Sequence, residues 1–221
     1  MGTLTLVRHG QASFGAADYD QLSELGHRQS ELLGEYFKRR GHRFDAVMTG
    51  SLKRHAQTRD GIARGLGGLP ESQVFEGLNE YDSEAVVRAV HPGELPRPDS
   101  PDIIRQHFRL LREGLLAWMA GSVQPAGMPP FTEFQAGIVA ALSHAQQLPG
   151  DVLLVSSGGP ISTAMGWVLG LAPEAIVALN LRIRNSAVSE LIVTPRQFNL
   201  LSFNHLPHLD TPELASSITY A

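Results

Sequence analysis

Arg8, His9 and Gly10 close a short apolar run, Leu4-Thr5-Leu6-Val7, and so place a guanidinium beside an imidazole at the exit of an expected β-strand. Neighbouring side chains of a strand point to opposite faces. Where the strand gives way to a glycine-relaxed loop, both heads can turn onto one ligand. Such a pair suits phosphate chemistry: a guanidinium offers a planar fork of donors to phosphoryl oxygens, and a neutral imidazole nitrogen can attack phosphorus. Gln11 and Ser13 in the following loop are candidates to touch the same phosphate, although a polar surface loop needs no ligand to account for it.

Three further segments carry residues of matching chemistry. They are Ser51-Leu52-Lys53-Arg54-His55-Ala56-Gln57-Thr58, Leu78-Asn79-Glu80 and Val155-Ser156-Ser157-Gly158-Gly159. Taken in order with the Arg-His-Gly triplet, they resemble the motifs of the histidine phosphatase superfamily, the group that includes the cofactor-dependent phosphoglycerate mutases. The resemblance covers most of the chain, strongest up to about Glu80 and again from Asp151 onward.

The resemblance implies that His9 takes a phosphoryl group as a phosphohistidine and that water then removes it. Arg8 and Arg54 would hold the phosphoryl oxygens. Glu80 would protonate the leaving oxygen and afterwards help activate water, while Ser157 and Gly158 would lie against the substrate. Neither a metal nor an organic cofactor is implied. One departure matters: the family's second histidine is Ser157 here, a shorter, neutral side chain with one donor in place of a potentially cationic group. Losing such a donor typically costs about 3–4 kcal/mol, or roughly 10²–10³ in rate. Activity survives that loss, or has been abandoned to leave a phospho-ligand binder, or another residue has taken over; His205, after an expected strand, is one such substitute.

The leading expectation is a phosphatase acting on a small phosphorylated metabolite. A phosphoglycerate-type mutase is the nearest rival, since it uses the same nucleophile but must shield the intermediate from water. In the loop after Gly10, Phe14 and Gly15 stand where mutase relatives tend to carry asparagine, which favours hydrolysis. A serine esterase is disfavoured, because a nucleophile elbow wants glycines two residues either side of the serine and position 155 is valine. His205 and His208 are spaced like some metal ligands but lack a third partner. His27, His42, His55, His91, His107 and His144 sit in no motif that assigns them a role, although His55 adjoins Arg54.

The elements that must position these groups alternate. Residues about 3–8 read as a strand and 21–40 as an amphipathic helix ended by Gly41, followed by a strand over 44–49 and a helix from an N-cap at Ser51 to about Gly65. A short strand is expected near 73–77, a proline-broken loop over 79–100, helices over 103–120 and 132–147, a buried strand at 151–156, a helix from Pro160 and a final hairpin around 195–199. Strand-helix alternation implies a parallel sheet covered on both faces. With the family resemblance, this gives an α/β class: a three-layer α/β/α sandwich with a mostly parallel sheet and a helical insertion. The whole of 1–221 reads as one domain, with an insertion or lid over about 81–150. Ligands of such sheets sit beyond the carboxyl ends of the strands, where Arg8, His9, Arg54 and Ser157 all fall.

Composition narrows the partners. The chain has 221 residues, 43% of them apolar and 18% charged, with a net charge of −4. That balance disfavours nucleic acid and anionic membrane surfaces, which demand clustered positive charge. Lys38 and Lys53 are the only lysines, so arginine is the common cation and a lone arginine carries little weight. Cysteine is absent, which removes disulfides and thiolate chemistry. No leader-like or bilayer-spanning apolar run stands out, so a cytoplasmic location is expected. The oligomeric state is open.

Overall fold

A computed structural model describes residues 2–13, 20–93 and 100–220. Within them the strands Gly2–Arg8 (β1), Ala46–Thr49 (β2), Ser72–Val74 (β3), Val152–Ser156 (β4), Val188–Val193 (β5) and Phe198–His205 (β6) form one sheet in the order β3-β2-β4-β1-β5-β6. The first four are mutually parallel; β5 runs antiparallel to β1, and β6 antiparallel to β5. β1 lies directly beside β4, with Arg8 opposite Ser156.

The helices are Glu24–Arg39 (α1), Lys53–Leu66 (α2), Ser83–Val90 (α3), Pro101–Met119 (α4), Phe131–Gln147 (α5), Gly158–Leu169 (α6) and Pro173–Asn180 (α7). Alternation within β4 shows how they are layered, since all five of its residues are buried. Val152 and Leu154 pack with Ile138 and Leu142 of α5 and with Ile161 and Met165 of α6. Leu153 and Val155 pack on the other face with Leu33 and Phe37 of α1 and Ile62 of α2. Strands hydrophobic on both faces are what a doubly covered sheet requires, and the expected α/β/α sandwich is the fold observed.

α1 and α2 approach to backbone contact. A Cβ added at Gly34 would lie 2.2 Å from the Ile62 carbonyl oxygen, and one at Gly65 2.2 Å from that of Glu31. Glycine is therefore required where α1 and α2 cross. Outside the sheet, Val86 of α3, Leu115 and Trp118 of α4 and Val177 of α7 form a smaller apolar cluster, against which Tyr81 packs.

The differences from the expected elements have local causes. α1 starts at Glu24, because Leu22 is held in a bridge to Ala12 and Ser23 supplies the cap by accepting from Gly26 N–H. Ser51 does not cap α2. That helix begins two residues later, and Asp20 caps it from a distant loop, its carboxylate accepting from Lys53 N–H at 2.9 Å. The stretch 79–100, expected as loop, contains α3, whose cap is Asp82 bonded to the Glu84 and Ala85 N–H groups. α6 starts at Gly158, so Pro160 sits inside its first turn, where a missing N–H costs no helical bond.

Candidate active site

The carboxyl ends of β1 and β4 are tied together: His9 N–H donates to the Ser156 carbonyl at 2.9 Å, and Ser156 Oγ donates to the Leu78 carbonyl at 2.6 Å. Ser156, which no motif assigns a role, thus links β1, β4 and the segment bearing Glu80. From the opposite side, residues 183–187 close over the strand end. Arg8 Nη1 donates to the Ile183 carbonyl at 2.5 Å, Ser186 N–H to the His9 carbonyl at 3.0 Å, and Arg8 N–H to the Ala187 carbonyl at 3.0 Å.

His9 is 4% exposed. Its Nδ1 lies 2.7 Å from the Gly10 carbonyl oxygen, an acceptor only, so the neutral ring carries its proton on Nδ1 and leaves a lone pair on Nε2. Burial pushes its pKa well below the ordinary 6.5, and the charges of Arg8 and Arg54 push it further the same way. The ring is therefore neutral at pH 7. Glu80 is shifted in the opposite sense: burial raises its pKa above 4.5, against the pull of Arg8, Arg54 and the N–H groups of Gly159 and Tyr81. One pair of arginines acts on both groups, which brings Arg8, His9, Arg54 and Glu80 into a single site.

Arg54 is held by Asp20, whose Oδ1 is 2.9 Å from Nη1. Thr58, one helical turn on, donates to the Arg54 carbonyl at 2.7 Å and accepts from Gly10 N–H at 3.1 Å, joining α2 to the loop after His9. Glu80 rests on the N-terminus of α6, its Oε1 3.0 Å and Oε2 3.3 Å from the Gly159 nitrogen. A Cβ at Gly159 would meet Oε1 at 2.3 Å. That is the physical need for the second glycine of the Gly-Gly pair; Gly158, the first residue of α6, packs beside Asn180 and Ile183.

The remaining candidates fare differently. Gln11 is engaged with α1: its Oε1 accepts from Ser23 Oγ at 2.8 Å and its backbone N–H donates to Gln29 Oε1 at 2.8 Å. Ser13 donates its backbone N–H to the Gln21 carbonyl at 2.8 Å. Phe14 and Gly15 lie outside the described residues. Ser157 is fully buried at the N-cap position of α6, yet its side chain makes no bond to the helix backbone. It meets His55 instead, with Nε2 2.7 Å from Oγ. The His55 ring centroid is 5.8 Å from that of His9, and burial drives its pKa down to about 3. His55 was not singled out in the sequence; the available signal was its place inside the Arg54 motif.

His205 lies away from the site. It is exposed at the end of β6, an outer strand two removed from β1. His208 is buried behind the site, its Nε2 2.9 Å from Ser186 Oγ, with a pKa lowered by burial to about 3. Among the described residues, no group of three or more His, Asp or Glu side chains is arranged as a metal site, and no helix is long and apolar enough to cross a membrane.

The family described as histidine phosphatase superfamily (branch 1) matches residues 4–206. Among curated proteins none matches the chain. Among solved structures, Bacillus stearothermophilus YhfR superposes with a TM-score of 0.67 at 18% identity, covering 94% of this chain and 99% of that one. A phosphoserine phosphatase mutant from Entamoeba histolytica, in complex with phosphoserine, gives 0.62 at 20% identity over 95% and 100% of the two chains. A phosphoglycerate mutase from Bacillus anthracis gives 0.66 at 18% over 98% and 96%. The chain belongs to the histidine phosphatase superfamily, branch 1, and its fold is that of phosphoglycerate mutase-like proteins.

Proposed function

We propose that the protein is a phosphatase that hydrolyses a small phosphorylated metabolite through a phosphohistidine on His9, needing no metal ion. The observation that carries this reading is the enclosure of both groups beside the same two arginines: the buried His9 gives Nδ1 to the Gly10 carbonyl and leaves Nε2 bare, and burial raises the Glu80 pKa. A nucleophile without a proton and an acid with one are the two states that phosphoryl transfer to histidine needs.

In the first half-reaction His9 Nε2 attacks phosphorus, the P–O ester bond breaks, and the Glu80 proton goes to the leaving oxygen. In the second, water attacks the phosphohistidine and the Glu80 carboxylate takes its proton, releasing phosphate and restoring both groups. Arg8 and Arg54 carry the charge of the equatorial oxygens throughout. Uncatalysed monoester hydrolysis is so slow that accelerations of up to ~10²¹ are known, so preorganised cations matter more than any single proton transfer.

A phosphoserine phosphatase and a phosphoglycerate mutase among the structural neighbours fit a small phosphomonoester as the substrate class. We assign the specificity surface to the insertion over about 81–150, whose apolar cluster around Trp118 reaches Tyr81, the neighbour of Glu80. The test is hydrolysis of p-nitrophenyl phosphate with chelator present, by the wild type and by His9→Ala. Turnover that survives chelation and vanishes in the variant supports the reading; equal rates overturn it.

A further inference from the structure

The pairing of His55 with Ser157 leaves one proton unassigned. The His55 ring is fully buried, and its Nδ1 has no hydrogen-bond partner among the described residues. The backbone of Gly50 presses on it, since a Cβ there would lie 2.3 Å from Nδ1. An orphaned buried N–H is rarer and costlier than an orphaned lone pair, so Nδ1 is bare and the ring proton resides on Nε2. The 2.7 Å contact is then His55 Nε2–H donating to Ser157 Oγ. Ser157's own hydroxyl proton remains. No acceptor for it is found among the described residues. Ser157 directly follows β4 and His9 directly follows the adjacent β1, and the His9 and His55 rings are 5.8 Å apart.

We propose that His55 and Ser157 together replace the family's second histidine: His55 is a positioning residue that fixes the Ser157 hydroxyl, and Ser157 donates its proton to a phosphoryl oxygen opposite His9. The proposal rests on the phosphatase reading above. The serine alone is too short and rotates freely; the histidine behind it removes that freedom and sets the direction of the O–H. The pair carries no net charge, because His55 stays neutral down to a pKa of about 3. Arg8 and Arg54 supply the positive charge, and the hydroxyl supplies an oriented donor.

The experiment compares kcat and KM for p-nitrophenyl phosphate in the wild type, His9→Ala, His55→Ala, Ser157→Ala and the His55→Ala/Ser157→Ala double variant. By analogy with loss of an oxyanion donor, each single change at 55 or 157 is expected to lower kcat by about 10²–10³ with little change in KM. The double variant should be no more than about tenfold worse than either single one, because the two side chains act as a unit. A merely structural His55 would give losses that multiply with those of Ser157→Ala. His55→Gln, whose amide Nε2 can still donate to Ser157, should retain most activity and serves if the alanine variant fails to fold. Wild-type kcat in His55→Ala, multiplying losses, or a His55→Gln as impaired as the alanine variant overturns the proposal. Those outcomes leave the phosphatase reading intact as long as His9→Ala is inactive; activity in His9→Ala would instead remove the reading itself.

Discussion

The Glu80 carboxylate is seated on the first turn of α6, with Oε1 3.0 Å from the Gly159 nitrogen. This contact favours the ionised acid, yet burial outweighs it and the pKa rises above 4.5. A group balanced in this way can give up a proton and take one back within the same cycle. Glu80→Gln should lower kcat by about 10²–10⁴ for an alkyl phosphate, the range general-acid catalysis covers, and by much less for a p-nitrophenyl ester, whose leaving group needs no proton. Equal losses on both substrates would remove Glu80 from the role of acid. Gly159→Ala should reproduce the same leaving-group dependence, because the added methyl displaces the carboxylate.

Asp20 serves two ends. It holds Arg54 by its guanidinium and accepts from the Lys53 N–H at the start of α2. Asp20→Ala should cost about 1 kcal/mol of stability as a lost cap and raise KM for phosphomonoesters, since Arg54 is left to other partners. Asp20→Asn keeps an acceptor for the N–H but loses the charge. Urea melts should therefore find it near the wild type, while steady-state kinetics find its KM raised.

Gln29 is fully buried in α1 and connects the site loop to the end of the chain. Its Oε1 accepts from Gln11 N–H at 2.8 Å, and its Nε2 donates to the Ser217 carbonyl at 2.7 Å and to Thr219 Oγ1 at 3.0 Å. Gln29→Ala strands the Gln11 N–H and the Ser217 carbonyl, while Thr219 keeps its bond to Asn185 Oδ1, and should destabilise the fold by roughly 2–4 kcal/mol. A urea midpoint unchanged from the wild type would contradict this account of the C-terminal segment.

Acid should weaken the protein before it silences the chemistry. His55 and His208 stay neutral in the folded state down to pH about 3, whereas in the unfolded chain histidines protonate near 6.5. Between those values the unfolded state binds more protons, so stability is full above pH 6.5 and falls as pH drops. At pH 5 each contributes a loss on the order of 2 kcal/mol. Glu80 opposes this, because its raised pKa lets the folded state take a proton first as pH falls towards 4.5. Urea midpoints should decline from pH 7 to pH 5, and less steeply in His208→Asn. A flat profile would mean that these histidines are not buried neutral.

How far the chain could be read in advance depended on how local each feature is. Arg8 and His9 declare themselves because a strand, a turn and a glycine all lie within a few residues, and the alternation of strand and helix fixed the layers. The cap of α2 is not legible locally, because the residue that supplies its carboxylate, Asp20, comes from a loop 33 residues earlier in the chain. α3 was hidden by the prolines that follow it, although Asp82 marks its start. His55 was illegible for a deeper reason: its meaning depends on Ser157, 102 residues away, and no spacing rule couples the two. The same distance made His205, which is near in type but far in space, look like the better substitute.

The proposed reaction turns on a covalent phosphoryl group on His9. Its most direct test is to mix the enzyme with a phosphomonoester, quench at high pH, where phosphohistidine survives, and locate the modification by peptide mass spectrometry. The expected result is an acid-labile, base-stable phosphoryl group on the peptide containing His9 in the wild type and none in His9→Ala. Hydrolysis by the wild type with no such species, and undiminished turnover by His9→Ala, would contradict it.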